Sequence, residues 1–153
     1  MPKKVKKIIN ILTHSPGPNA YRYFKEAKLP PEDYFIRIPE PPYWVGFFNV
    51  DWHVRCAEQL AKRTNDFEIE CWRPYSPVNR VISKNINGIT HRIFPSIKFD
   101  FGGKIFGEFS NSLISKLSRE DPSTTIIHVH GKIGPLSLYI FNRFKEMKIV
   151  FCT

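Results

Sequence analysis

The sequence predicts an α/β fold: a parallel sheet whose strands are joined by crossover helices. Short apolar, β-branched runs, such as Ile8-Ile9-Asn10-Ile11-Leu12 and Ile126-Ile127-His128-Val129, alternate with stretches whose apolar residues recur at helical spacing. That alternation is the pattern of strand–helix–strand units. The run Thr125–His130 also leads through Gly131 into Gly134-Pro135, a strand followed at once by a helix start, where proline suits the first turn.

The elements follow in order. The first strand is expected over Lys6–Thr13. Asp51 is placed to cap a helix over Trp52–Arg63, because a side-chain oxygen there accepts from the free amides of the first turn. Val54, Ala57, Leu60 and Ala61 fall on one face of that helix. Phe67–Trp72 is the second strand, and the turn dipeptide Asn87-Gly88 introduces a third at Ile89–Phe94. Ile105, Phe106, Phe109, Leu113, Ile114 and Leu117 form an apolar stripe that predicts a helix over Lys104–Ser118. The fourth strand is Thr125–His130. A helix from Pro135 to Met147 follows, with Leu136, Tyr139, Ile140 and Phe144 facing inward, and a fifth strand begins near Lys148.

The exception is the stretch 14–50, an irregular insertion with prolines from Pro16 to Pro42 and many aromatics, among them Tyr21, Phe24, Tyr34, Trp44 and Phe48. Long loops in compact domains usually carry function. The aromatics fit a lid, an acceptor-recognition loop or a membrane-contacting flap.

A chain of 153 residues is one domain's worth, so 1–153 reads as a single unit. Its 23 Lys and Arg against 14 Asp and Glu leave a net charge of +9. That points to an anionic partner: nucleic acid, an anionic membrane surface or a phosphorylated small molecule. The basic residues are scattered and match no nucleic-acid-binding module, so nucleic acid is disfavoured. Cys56, Cys71 and Cys152 have no close spacing, which argues against a disulfide framework and for a reducing compartment. No stretch approaches the ~20 apolar residues of a membrane span, and the first apolar run is too short for a signal-peptide core. A cytoplasmic protein is expected. The basic and aromatic segment Phe94–Phe106 is mostly explained by a core helix with its preceding loop, the alternative being a surface patch in peripheral contact with the inner membrane face. Ile149-Val150-Phe151-Cys152-Thr153 reads as a strand with no cap or polar tail after it, so the chain is expected to be a piece of a longer protein.

In an open α/β sheet, ligands bind outside the carboxyl ends of the strands. This makes His130 the first candidate catalytic residue, since an imidazole there can donate to a hydroxyl or phosphate oxygen and titrates near neutrality. Gly131 and Lys132 beside it, with Gly134-Pro135, allow backbone amides to approach a ligand at a helix start, although such glycines are also ordinary punctuation. His14, at the end of the first strand, is a second substrate-binding candidate. His128 shares the face of His130 and reads as a core histidine with a satisfied hydrogen bond. His14, His128 and His130 together make a minimal zinc set, but no Glu-x-x-His or cysteine pair supports it, and a metal-free role is expected. The chain contains neither Gly-x-Gly-x-x-Gly nor Gly-x-x-x-x-Gly-Lys-Ser/Thr, which disfavours dinucleotide-fingerprint dehydrogenases and P-loop enzymes.

Three segments in this order resemble the N-terminal domain of a family 4-type glycosyltransferase of the two-domain B architecture. His53-Val54-Arg55-Cys56-Ala57-Glu58-Gln59-Leu60-Ala61-Lys62-Arg63, leading into Phe67–Trp72, is similar to the family's first helix and second strand. Asn87-Gly88-Ile89-Thr90-His91-Arg92-Ile93-Phe94-Pro95 resembles its third strand, and Ile126-Ile127-His128-Val129-His130-Gly131 its fourth strand end. The likeness spans Lys6–Thr13 and Asp51–Thr153 and leaves 14–50 unmatched.

The resemblance implies a Rossmann-like, doubly wound domain that binds mainly the acceptor, saccharide or lipid-linked. The nucleotide-sugar donor would be gripped by a C-terminal domain missing here, so this piece alone is not expected to turn over substrate. It further implies a retaining transfer with no bound metal and no cofactor besides the donor substrate. The family's histidine beside the transferred sugar matches His130, which would donate to a sugar hydroxyl. One departure concerns the donor phosphates. Where the family has a Gly-Gly pair before its first helix, this chain reads Trp44-Val45-Gly46-Phe47-Phe48-Asn49-Val50-Asp51. Gly46 and Asn49 are the remaining candidates for that contact, and Asp51 would repel a phosphate. The alternative is a non-catalytic α/β domain that binds an anionic surface or nucleic acid through its basic residues.

Overall fold

The computed structural model describes residues 6–13, 28, 52–101, 104–131 and 133–152. In chain order these form β1 (Lys7–Leu12), α1 (Trp52–Arg63), β2 (Glu68–Pro74), β3 (Ile82–Ile86), β4 (Ile89–Phe94), β5 (Ile97–Phe101), β6 (Lys104–Phe109), α2 (Asn111–Leu117), β7 (Thr125–His130), α3 (Pro135–Arg143) and β8 (Lys148–Cys152). Six strands make one sheet in the order β3-β4-β2-β1-β7-β8. All its pairings are parallel except β3 with β4. The fold is α/β, a mostly parallel six-stranded sheet flanked by helices, compatible with a Rossmann-like architecture.

β1 is an almost unbroken apolar run because it is the inner strand of a parallel sheet and is covered on both faces. Ile9 and Ile11 point to one face, where Trp72, Phe94, Ile127 and Val129 of the neighbouring strands pack against Leu113 and Leu117 of α2 and Leu136 and Ile140 of α3. The opposite face carries Ile69, Cys71 and Ile89 against Val54 and Ala57 of α1. Each of these larger side chains contributes about 1.5–3 kcal/mol by leaving water.

A buried ion network ties the strands together below this core. The Glu70 carboxylate, fully buried on β2, accepts from Trp72 Nε1 at 2.6 Å, Arg92 Nε at 2.6 Å and Lys7 Nζ at 3.2 Å. Lys7 also pairs with Glu120 at 3.0 Å, so β1, β2, β4 and the approach to β7 share one set of charges. Burial works against the charge of Glu70. The hydrogen bonds from Arg92 and Trp72, with the charges of Arg92 and Lys7, nonetheless hold it well below the usual carboxylate range.

Several sequence expectations need correction. The stripe over Lys104–Ser118 is not one helix. Its first half is β6, hairpin-paired with β5 from Ile97↔Phe109 to Phe101↔Lys104, and the helix begins only after Ser110, whose hydroxyl accepts from Leu113 N. Gly107 and the aromatic and β-branched neighbours Ile105 and Phe106 suit a strand better than a helix, and the partner strand supplies the hydrogen bonds that periodicity does not show. The hairpin leaves Ile97 and Phe99 exposed. β3 is a strand that the apolar pattern does not show: Ile-Ser-Lys-Asn-Ile is an edge strand with three exposed residues, joined to β4 by the Asn87-Gly88 turn. Both turn residues have positive φ, 53° and 82°, as a two-residue hairpin turn demands. α3 stops at Arg143 rather than Met147, because Phe144 leaves helical geometry at φ −107° and ψ 46°. Tyr139, expected inward, is exposed and meets Phe109 edge-on. Asp51, the expected cap of α1, lies outside the described residues. Among the described residues no helix is long and apolar enough to cross a membrane.

Candidate functional site

The strand order reverses direction between β1 and β7. From β1 the chain adds β2 and β4 on one side, then returns to add β7 and β8 on the other. Crossovers diverge at such a point, and the carboxyl ends of the two strands there are where open α/β sheets bind ligands. Those ends are Thr13 and His130.

Register brings the two together. Leu12 stands opposite His130 and Asn10 opposite His128. Thr13 then donates twice to the His130 carbonyl, from its amide at 3.1 Å and its hydroxyl at 3.2 Å. His130 is 3% exposed, and its ring lies 3.2 Å through Nε2 from Asn10 Oδ1. The Asn10 amide nitrogen in turn donates to the Glu70 carbonyl at 3.4 Å. His53, near the start of α1, and His128 each bring a ring to 6.2 Å from that of His130. Arg73, fully buried near the carboxyl end of β2, shares the α1-facing side with Cys71 two residues before it.

Burial, and secondarily the charge of His128, pushes His130 down to about 4 from its ordinary 6.5. Burial lowers His128 as well. Both rings are therefore neutral at physiological pH. The expectation of a satisfied hydrogen bond at His128 does not hold, since its buried Nδ1 has no partner among the described residues. Its ring packs against His130 instead.

Gly131 has φ 109°, a conformation that a side chain strains, and this lets the chain leave β7 abruptly. Its amide donates to the Cys152 carbonyl at 3.2 Å. The Gly134 amide donates to Ser137 Oγ at 2.8 Å. The two glycine amides expected to face an anionic ligand are thus already engaged. His14, Lys132, Gly46 and Asn49 lie outside the described residues. Among the described residues no three His, Cys, Asp or Glu side chains gather as a metal set.

Cys152 neighbours His130 across the β7–β8 pair, and burial raises its thiol, which disfavours the thiolate. The chemistry on offer is hydrogen bonding and orientation by a neutral, firmly held imidazole. A cleft of about 490 Å³ lined by Ser118, Glu120, Pro122, Arg143 and Met147 precedes β7 and β8 in the chain. It opens at their amino ends, away from His130.

Sequence reading missed Asn10, His53 and Arg73. Asn10 did carry a signal, a lone polar residue inside Ile8-Ile9-Asn10-Ile11-Leu12; a buried polar group there must have partners. His53 carried none, because its proximity to His130 comes from the way α1 crosses the sheet.

No protein-family model matches the chain, and no curated protein or solved structure matches it.

Proposed function

We propose that this chain is the acceptor-side half of a retaining glycosyltransferase of the two-domain B architecture, moving a sugar from a nucleotide-sugar to a saccharide or lipid-linked acceptor. The observation that carries the reading is the position of His130 at the carboxyl end of β7, beside β1, where the strand order reverses. Ligands of open α/β sheets bind at that edge, and there the His130 ring meets Asn10 while two Thr13 donors hold its backbone carbonyl.

In this reading His130 engages a hydroxyl of the sugar being transferred and so fixes the anomeric carbon against the acceptor. The bond from that carbon to the diphosphate oxygen breaks, the bond to the acceptor oxygen forms, and the acceptor's proton leaves with the diphosphate. A second domain grips the donor, no metal or further cofactor takes part, and the enzyme works in the cytoplasm, where a lipid-linked acceptor would bring it to the inner membrane face.

The test is sugar transfer from UDP- and GDP-linked sugars by a gene product carrying both domains, with and without His130→Ala. Loss of an orienting contact should lower the rate by about 10²-fold; an unchanged rate overturns the reading. Steeply salt-dependent binding to duplex nucleic acid or anionic vesicles, without any transfer, favours the non-catalytic alternative suggested by the net charge of +9.

A further inference from the structure

The hydrogen bonds around Asn10 assign the proton on His130. A carboxamide has one accepting oxygen and one donating nitrogen. The Glu70 carbonyl, 3.4 Å from Asn10 Nδ2, is purely an acceptor, so it takes the donating end of the amide. Oδ1 is thereby turned toward His130 Nε2, 3.2 Å away. An oxygen that only accepts requires a hydrogen on Nε2. A neutral imidazole carries one hydrogen, which leaves Nδ1 with a lone pair. Among the described residues nothing hydrogen-bonds to that atom.

We infer that Asn10 is a positioning residue that holds His130 in the Nε2–H tautomer, so that His130 takes its ligand by accepting a hydrogen bond on Nδ1 from a hydroxyl. This reverses the sense expected from the sequence, in which His130 donates. It also separates two ligand chemistries. A hydroxyl has a hydrogen to give, whereas a phosphate oxygen presents a lone pair to a lone pair and finds no charge, since burial and His128 keep the ring neutral. The ionisable groups around it are His128 and His53 with their rings 6.2 Å away, Cys152 opposite it on β8, whose thiol burial raises, and Arg73 on the same face of the sheet. Burial lowers His128, and none of these groups supplies a negative charge that would favour an imidazolium. That the hydroxyl belongs to a sugar rests on the proposed transfer; the tautomer does not.

The experiment is long-range ¹H–¹⁵N correlation NMR on the whole chain labelled with [¹⁵N]histidine at pH 7, the His130 signals being those lost in His130→Gln. The expected pattern is a protonated Nε2 and an unprotonated Nδ1. A proton on Nδ1, or an imidazolium, overturns the inference. In Asn10→Leu the single tautomer should give way to a mixture; an unchanged Nε2–H form in the folded variant removes Asn10 from the role. If that variant does not fold, Asn10→Asp keeps the acceptor and should keep Nε2 protonated, and an Nδ1–H form there is equally fatal. Millimolar inorganic phosphate should leave the His130 signals unchanged, whereas conversion to imidazolium overturns the hydroxyl assignment. None of these readouts requires glycosyl transfer, so a failed transfer assay leaves them standing.

Discussion

Thr13 holds the carbonyl oxygen of His130 with two donors, its amide at 3.1 Å and its hydroxyl at 3.2 Å. The pair lies at the carboxyl ends of β1 and β7, where the strand order reverses, and it closes the ladder that β1 and β7 share. A carbonyl has two lone pairs, and here both are used. The imidazole of His130 therefore stands on a backbone that has little freedom to turn.

Thr13→Val removes the hydroxyl donor and keeps the amide and the side-chain shape. Unfolding in urea should show a loss of about 1 kcal/mol with an unchanged slope. A midpoint equal to that of the parent chain would show that the second bond contributes nothing.

Acid should weaken the fold in two steps. His91 and His130 are both held at about 4 against an ordinary 6.5, burial being the leading cause for each. Between those limits the unfolded chain binds more protons than the folded one, so stability is complete above 6.5 and falls as pH drops toward 4. Each ring accounts for up to about 3 kcal/mol. Denaturation midpoints across this window should slope accordingly, and His91→Gln or His130→Gln should flatten the slope; a flat parent profile contradicts the neutral buried rings.

Glu70 supplies the second step, also through a lowered value, but here the folded state favours the charged form rather than the neutral one. Its carboxylate is held below its ordinary 4.5, so its contribution is present above that value and is lost as pH falls below it. Glu70→Gln leaves Arg92 and Lys7 without their shared anion and should destabilise by about 3 kcal/mol at neutral pH. The difference between parent and variant should shrink in acid, and calorimetry at neutral and acid pH would read both effects.

Gly131→Ala places a side chain at φ 109° and should cost about 1–3 kcal/mol in strain. Because the Gly131 amide also pairs with the Cys152 carbonyl, hydrogen exchange should quicken along β8 more than along β2. Equal protection in both strands would show that the turn tolerates the methyl group.

Where packing agrees with local pattern, the sequence is a sound guide. Ile8–Leu12 and Ile126–Val129 read as strands because inner strands of a parallel sheet are covered on both faces, and Val54 and Ala57 announce the buried face of α1. The stripe from Ile105 to Leu117 shows the opposite case. The same residues satisfy helical spacing, yet Lys104–Phe109 pairs with Ile97–Phe101, and a hydrogen-bonding partner elsewhere in the chain overrides local period. β3 escaped notice because an edge strand buries little, so its sequence carries little apolar pattern.

His130 itself was legible, as a histidine ending an apolar run before a glycine. By itself the sequence determined the run of strands and helices around it and the placement of an imidazole at a strand end, because those features follow from local burial and turn chemistry. Only the tertiary structure decided what that imidazole does. Asn10 and Thr13 reach it across 120 and 117 residues of chain, His53 comes from α1 packed over the same face of the sheet, and the proton on Nε2 follows from the direction of hydrogen bonds that exist only once β1, β2 and β7 lie side by side.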